Sequence, residues 1–197
     1  MKKILVLTIL IGNVVLLFGQ EYEGQKAFDK FALINSFVFQ NFSLPFYDLK
    51  SNFSHPGFIV GGETNLNKKN NLLLNIGLAG YLNKEMGNGF YLQSQTIYRP
   101  KLFDYVHPLI KIGVGWHRSY HPVQSYEFID GDWTKTVGGK SQLTIPIGIG
   151  VEYKKNAANK SLIPFLSYQM VPNLYYNKTI PISFYTFFET GIKLKFK

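Results

Sequence analysis

Cysteine is absent from all 197 residues. Its absence excludes a disulfide framework, a thiolate metal site and a lipid-anchored N-terminal cysteine. Charge is scarce as well: Asp, Glu, Lys and Arg make up 17% of the chain, against 46% hydrophobic and 16% aromatic residues. Beyond residue 20 no apolar run approaches the roughly 20 residues that a membrane-crossing helix requires. Any later passage through a bilayer must therefore be made by strands. No nucleic-acid recognition motif is present and no cofactor motif is found, so neither kind of partner is expected.

What is present begins with Met1, Lys2 and Lys3, followed by an apolar stretch from Ile4 to Phe18 broken mainly by Asn13, then Gly19 and Gln20. This pattern reads as a cleaved secretory signal over residues 1–20, leaving one domain over 21–197. Setting Lys2 and Lys3 aside lowers the formal charge from +9 to +7. Solubilising lysines at turns, or attraction to an anionic lipid surface, account for that excess equally well. Asn-x-Ser/Thr matches at Asn41, Asn52, Asn159 and Asn177 are expected by chance in so asparagine-rich a chain.

Period-two alternation is the dominant pattern. From Tyr105 to Ser119, Val106, Ile110, Ile112, Val114 and Trp116 share one face, with His107, Lys111, Gly113, Gly115, His117 and Ser119 on the other. From Ser141 to Lys154, Leu143, Ile145, Ile147, Ile149, Val151 and Tyr153 oppose Gln142, Thr144, Pro146, Gly148, Gly150 and Glu152. The last segment sets Phe184, Phe188, Ile192, Leu194 and Phe196 against Ser183, Glu189, Gly191, Lys193 and Lys195, with Tyr185 and Phe187 as exceptions. Leu72, Leu74, Ile76 and Leu78 repeat the pattern, and further strands are predicted at 57–66, 89–102, 160–171 and between Phe31 and Leu44. The total of eight predicts an all-β fold, an eight-stranded antiparallel up-and-down transmembrane barrel. Short links at Asn67–Asn70, Phe103–Asp104 and Lys155–Asn159 alternate with longer ones, the longest from Tyr120 to Lys140; the link at Lys84–Gly87 is short where a long one is expected.

Alternation alone leaves open which face points outward. The polar face is rich in Gly, Thr and Gln rather than in Lys and Glu, which suits a crowded lumen better than a face in water. Tyr98, Trp116, Tyr153 and Phe196 suit interfacial girdles. The segment Glu189-Thr-Gly191-Ile-Lys-Leu194-Lys-Phe196 resembles the terminal-strand signal read by the outer-membrane barrel-assembly machinery, although Lys197 follows the aromatic residue that usually ends it. The resemblance is to small eight-stranded bacterial outer-membrane barrels. It implies a bacterial outer-membrane location, with membrane lipid and the assembly machinery as partners.

Inward placement of the polar face would bring Glu63, Arg99, Lys111, Glu152, Glu189 and Lys193 into a narrow lumen, where charges must pair. They read as a structural plug or, alternatively, as a gated ion path. His117 and Ser119, near Glu127, Asp130 and Asp132, could form a hydrolytic triad. The pair faintly resembles the His-x-Ser element of outer-membrane lipid A deacylases, but Arg118 and Tyr120 depart from that family's context. A metal held by His117, His121 and Asp130 has no supporting ligand spacing. Tyr126, Phe128, Asp130, Asp132 and Trp133 make the longest link a candidate surface for a glycan, lipid headgroup or envelope protein. The expected function is a non-enzymatic outer-membrane barrel with an envelope-structural or recognition role through residues 120–140. The alternatives are a lipid-modifying hydrolase, a soluble periplasmic binder of a small hydrophobic ligand, and a passive pore.

Overall fold

The computed structural model describes residues 31–41, 53–85, 87–120, 126–129, 131–135, 139–154, 160–175 and 181–196. The signal segment and the Lys155–Asn159 link lie outside the described residues. Eleven strands are present: β1 (Phe31–Asn41), β2 (Pro56–Asn65), β3 (Leu72–Tyr81), β4 (Asn88–Tyr98), β5 (Val106–Tyr120), β6 (Tyr126–Ile129), β7 (Asp132–Lys135), β8 (Lys140–Thr144), β9 (Ile147–Tyr153), β10 (Lys160–Leu174) and β11 (Ile182–Phe196).

Nine of them form one antiparallel sheet that closes when β11 pairs with β1. β8 and β9 lie on one line, because Thr144 opposes Gly115 and Ile147 opposes Ile112 of β5 without a change of register. The wall thus has eight strands, arranged up and down. Closure removes the free sheet edge.

The interruption of the sixth wall strand has a chemical cause. Gly113 N donates to Pro146 O at 2.9 Å, but Pro146 has no N–H to return the bond. On the opposite seam Ile145 N donates to Pro172 O at 3.1 Å, and Pro172 cannot reciprocate. Two neighbouring residues therefore each lose a ladder bond, one on either side. β4 stops at Tyr98 rather than continuing to 102 because Pro100, two residues on, offers no donor to extend the ladder.

Side chains alternate as the pleat requires. Ile112, Ile149 and Leu162 point outward and are 55%, 58% and 63% exposed, whereas Lys111, Glu152 and Lys193 point inward and are almost fully buried. Down the outward faces of β5 from Trp116 to Val106, of β8–β9 from Leu143 to Tyr153, and of β10 from Leu162 to Leu174, no residue carries a charge. This is the reverse of a water-facing surface. It places the apolar residues of the soluble-binder alternative outside the barrel, not around an internal ligand cavity.

Turns at the end where the chain leaves β11 are short. In the Asn67–Asn70 turn, Asn67 Oδ1 accepts from Asn71 N at 3.1 Å and from Leu72 N at 3.3 Å, and Asn70 takes a φ of 54°, which asparagine tolerates. At the other end, the short link after β3 turns inward. Asn83 is buried and donates to Gln40 Oε1 at 2.7 Å, while its own Oδ1 accepts from Glu85 N at 3.0 Å. Packing of this link into the barrel mouth explains how it can be short on the side where links run long.

Candidate functional site

β11 supplies a side chain to every level of the lumen. Nearest its C-terminal end, Lys193 Nζ donates to Glu63 Oε2 at 2.7 Å and to Glu152 Oε2 at 2.8 Å. Arg99 Nη1 binds the second oxygen of Glu152 at 2.7 Å, and Arg99 Nη2 donates to the carbonyl of Asn70 at 2.6 Å, joining the charges to the turn. One turn of pleat higher, Lys111 Nζ meets Glu189 Oε2 at 3.0 Å and Ser167 Oγ at 2.9 Å. Glu189 also accepts from Ser36 Oγ at 2.8 Å, Ser167 Oγ at 2.8 Å and Gln169 Nε2 at 2.9 Å. Both ammonium groups lie over the Phe165 ring, 5.3 Å and 5.5 Å from its centroid. Three cations and three carboxylates thus neutralise one another in an almost fully buried space.

Above the charges lies an aromatic layer that sequence reasoning did not assemble. Tyr91 and Phe187 stack at 5.8 Å, Tyr81 meets Phe187 edge-on at 5.8 Å, and Tyr185 meets His117 edge-on at 5.1 Å. Tyr185 and Phe187, the two exceptions in the last strand's pattern, are the inward residues of this layer. Glycine makes room for it. A Cβ on Gly89 would collide with the Tyr81 ring, and one on Gly115 would lie 2.8 Å from the Tyr91 ring.

His117 is built into the same layer. Its Nδ1 lies 3.3 Å from Gln142 Oε1 and its Nε2 lies 2.7 Å from Tyr81 Oη. A carbonyl oxygen only accepts, so Nδ1 carries the proton and Nε2 accepts from the tyrosine hydroxyl. Both nitrogens are occupied. Ser119 is buried two residues along β5, and no hydrogen bond joins it to His117 among the described residues. The arrangement holds an imidazole in place but does not prepare a nucleophile. Asp130 and His121 lie outside the described residues, and no cluster suited to a metal occurs among those described.

The link from 120 to 140 contains the second sheet, the hairpin β6–β7, which the sequence reading treated as a loop. Ile129 pairs with Asp132, and Gly131, immediately before β7, adopts a φ of 93°, a conformation that glycine accepts without strain. Phe128 lies directly opposite Trp133, and Tyr126 opposite Lys135. Trp133 is 72% exposed and Asp132 is exposed beside it. In the segment resembling an assembly signal, Glu189 is engaged in the lumen, Gly191 faces Ser36, Leu194 pairs with Leu33 and Phe196 ends β11.

No known family's sequence profile matches the chain, and no curated protein matches it in sequence. Solved structures do. Neisserial surface protein A superposes with a TM-score of 0.58 at 14% identity, covering 84% of this chain and 97% of that one. The N-terminal β-barrel domain of Pseudomonas aeruginosa OprF gives 0.47 at 14% identity, covering 84% and 98%. At such identities the likeness to the first concerns the fold alone, and that fold is the small eight-stranded barrel of the bacterial outer membrane.

Proposed function

We propose that the chain is a non-enzymatic integral barrel of the bacterial outer membrane, closed to solutes, that acts at its external face through the hairpin β6–β7. The observation that carries this reading is the filled lumen. Its charges are consumed by one another and the layer above them is occupied by rings, so among the described residues the interior offers neither a path nor a ligand cavity. Trp133 is the opposite case, a large anchor held in solvent on a hairpin that the barrel does not need for closure. The hairpin suits a glycan or an envelope protein, because an indole beside a carboxylate combines stacking with hydrogen-bond acceptance.

Fractionation of expressing cells, with gel mobility compared before and after boiling, tests the membrane half of the proposal. A heat-sensitive shift in the outer-membrane fraction is expected; soluble recovery without it overturns the reading. For the external half, Trp116→Phe leaves Trp133 as the one tryptophan. Its emission in vesicle-reconstituted protein is then titrated with envelope glycans, and a saturable change abolished by Asp132→Asn is the expected result. Ser119→Ala is expected to leave lipid A and phospholipids of expressing cells unchanged. Loss of a lipid-processing product in that variant would restore the hydrolase alternative.

A further inference from the structure

One side chain on the outward wall does not belong in hydrocarbon. Asn35 lies next to the midpoint of β1, with Phe31 and Leu33 on the outward face to one side and Phe37 and Phe39 to the other. On the neighbouring strands it opposes Ile192 of β11 and Val60 of β2. Between Asn88 and Arg118 at the external rim and Tyr98 and Tyr153 at the opposite one, the other described outward positions are apolar, Gly, Ser, Thr or Tyr. A Ser or Thr hydroxyl can turn back to a strand carbonyl. A carboxamide has two donors and two lone pairs to satisfy, and that of Asn35 bonds to nothing among the described residues.

We propose that β11, β1 and β2 form a homodimer interface within the membrane, centred on Asn35 and its counterpart in a second copy of the chain. The inference rests on the membrane reading above. A carboxamide both donates and accepts, so it is complementary to itself across a two-fold axis, and two copies can exchange two amide hydrogen bonds that lipid tails cannot supply. Around the amide, Leu33, Phe37, Val60 and Ile192 are all between 41% and 64% exposed and form an apolar rim. A single polar pair within an apolar interface fixes register, as a lone core asparagine does in a coiled coil. The dimer is accordingly reversible, since one polar contact in a membrane contributes modestly.

Because the chain has no cysteine, each introduced one is a unique probe. The full chain is refolded into phosphatidylcholine vesicles, and heat-modifiable mobility first establishes that each variant has folded. Failure at that stage counts against the membrane reading, not the interface. Leu33→Cys and Ile192→Cys are expected to give disulfide-linked dimers that persist on lipid dilution, while Ile112→Cys on β5, on the far side of the barrel, gives none. Asn35→Leu is expected to raise the dimer dissociation constant about ten-fold, roughly 1.4 kcal/mol, measured by energy transfer between labelled copies. Equal cross-linking at all three positions, or an unchanged constant in Asn35→Leu, overturns the proposal. So does a folded chain that stays monomeric at every lipid ratio with a fluorophore at position 35 quenched by brominated acyl chains, which would make lipid the neighbour of Asn35.

Discussion

Replacing Lys193 by Met keeps most of the side chain's length and removes its charge together with the two hydrogen bonds it donates. In the folded barrel Glu63 would then have no cation among the described residues, and Glu152 would retain Arg99 alone. Because Lys193 is 2% exposed and Glu63 5%, the abandoned carboxylate cannot recover its hydration without opening the lumen. Breaking a buried pair in this way costs about 3–5 kcal/mol. Adding Glu63→Gln removes the uncompensated charge, so the double variant should regain about half of that loss or more. Urea titration of protein folded in vesicles, followed by Trp116 emission in a Trp133→Phe background, gives the stabilities and completes the cycle. The reasoning is refuted if Lys193→Met falls within about 1 kcal/mol of the parent, the magnitude of a solvent-screened pair. That outcome would mean a wet lumen, and the passive-pore alternative would regain its footing.

Planar bilayers containing the folded chain should show no conductance steps, and regular steps would contradict a filled interior. Phe187→Ala should cost about 3–5 kcal/mol by the same titration, because it empties the centre of the aromatic layer. Gly89→Ala should destabilise by about 1–3 kcal/mol through its collision with Tyr81, and adding Tyr81→Leu should relieve part of that cost; equal stability of both single and double variants would show that the ring has room to move. Trp133→Ala should leave stability, followed by Trp116 emission, within about 0.5 kcal/mol, since the indole is solvent-exposed, while abolishing glycan binding measured by titration calorimetry.

The wall was legible in the sequence because a barrel imposes period two on every strand, and β5, β9 and β11 display it almost without exception. The sequence placed Ser141–Lys154 in one strand, and that reading fails only at Ile145–Pro146, where the cause lies partly in Pro172, a residue far along the chain. The six lumen charges could be named from alternation, but not matched. Lys193 finds Glu63 only because β11 closes onto β1 in one particular register, a property of the closed ring rather than of any local segment. Tyr185 and Phe187 carried a signal that was not used. Large residues interrupting a polar inward row indicate a layer that needs filling, and their partners Tyr81 and Tyr91 come from strands whose polar faces gave no such hint. Nor was the hairpin β6–β7 legible as strands, because each strand is four residues long, too short to establish a period.

The lumen charges also constrain the order of events during assembly. Glu189 and Lys193 both arrive on the last strand, and their partners Lys111, Glu152 and Glu63 precede them by 78, 41 and 130 residues. Until β11 inserts between β10 and β1, Lys111 and Glu63 have no charged partner among the described residues, and Glu152 has Arg99 alone. Neutralisation of the lumen is therefore completed only at closure, so a chain lacking its final strand leaves Lys111 and Glu63 with unpaired charges that favour an interior open to water over a sealed one.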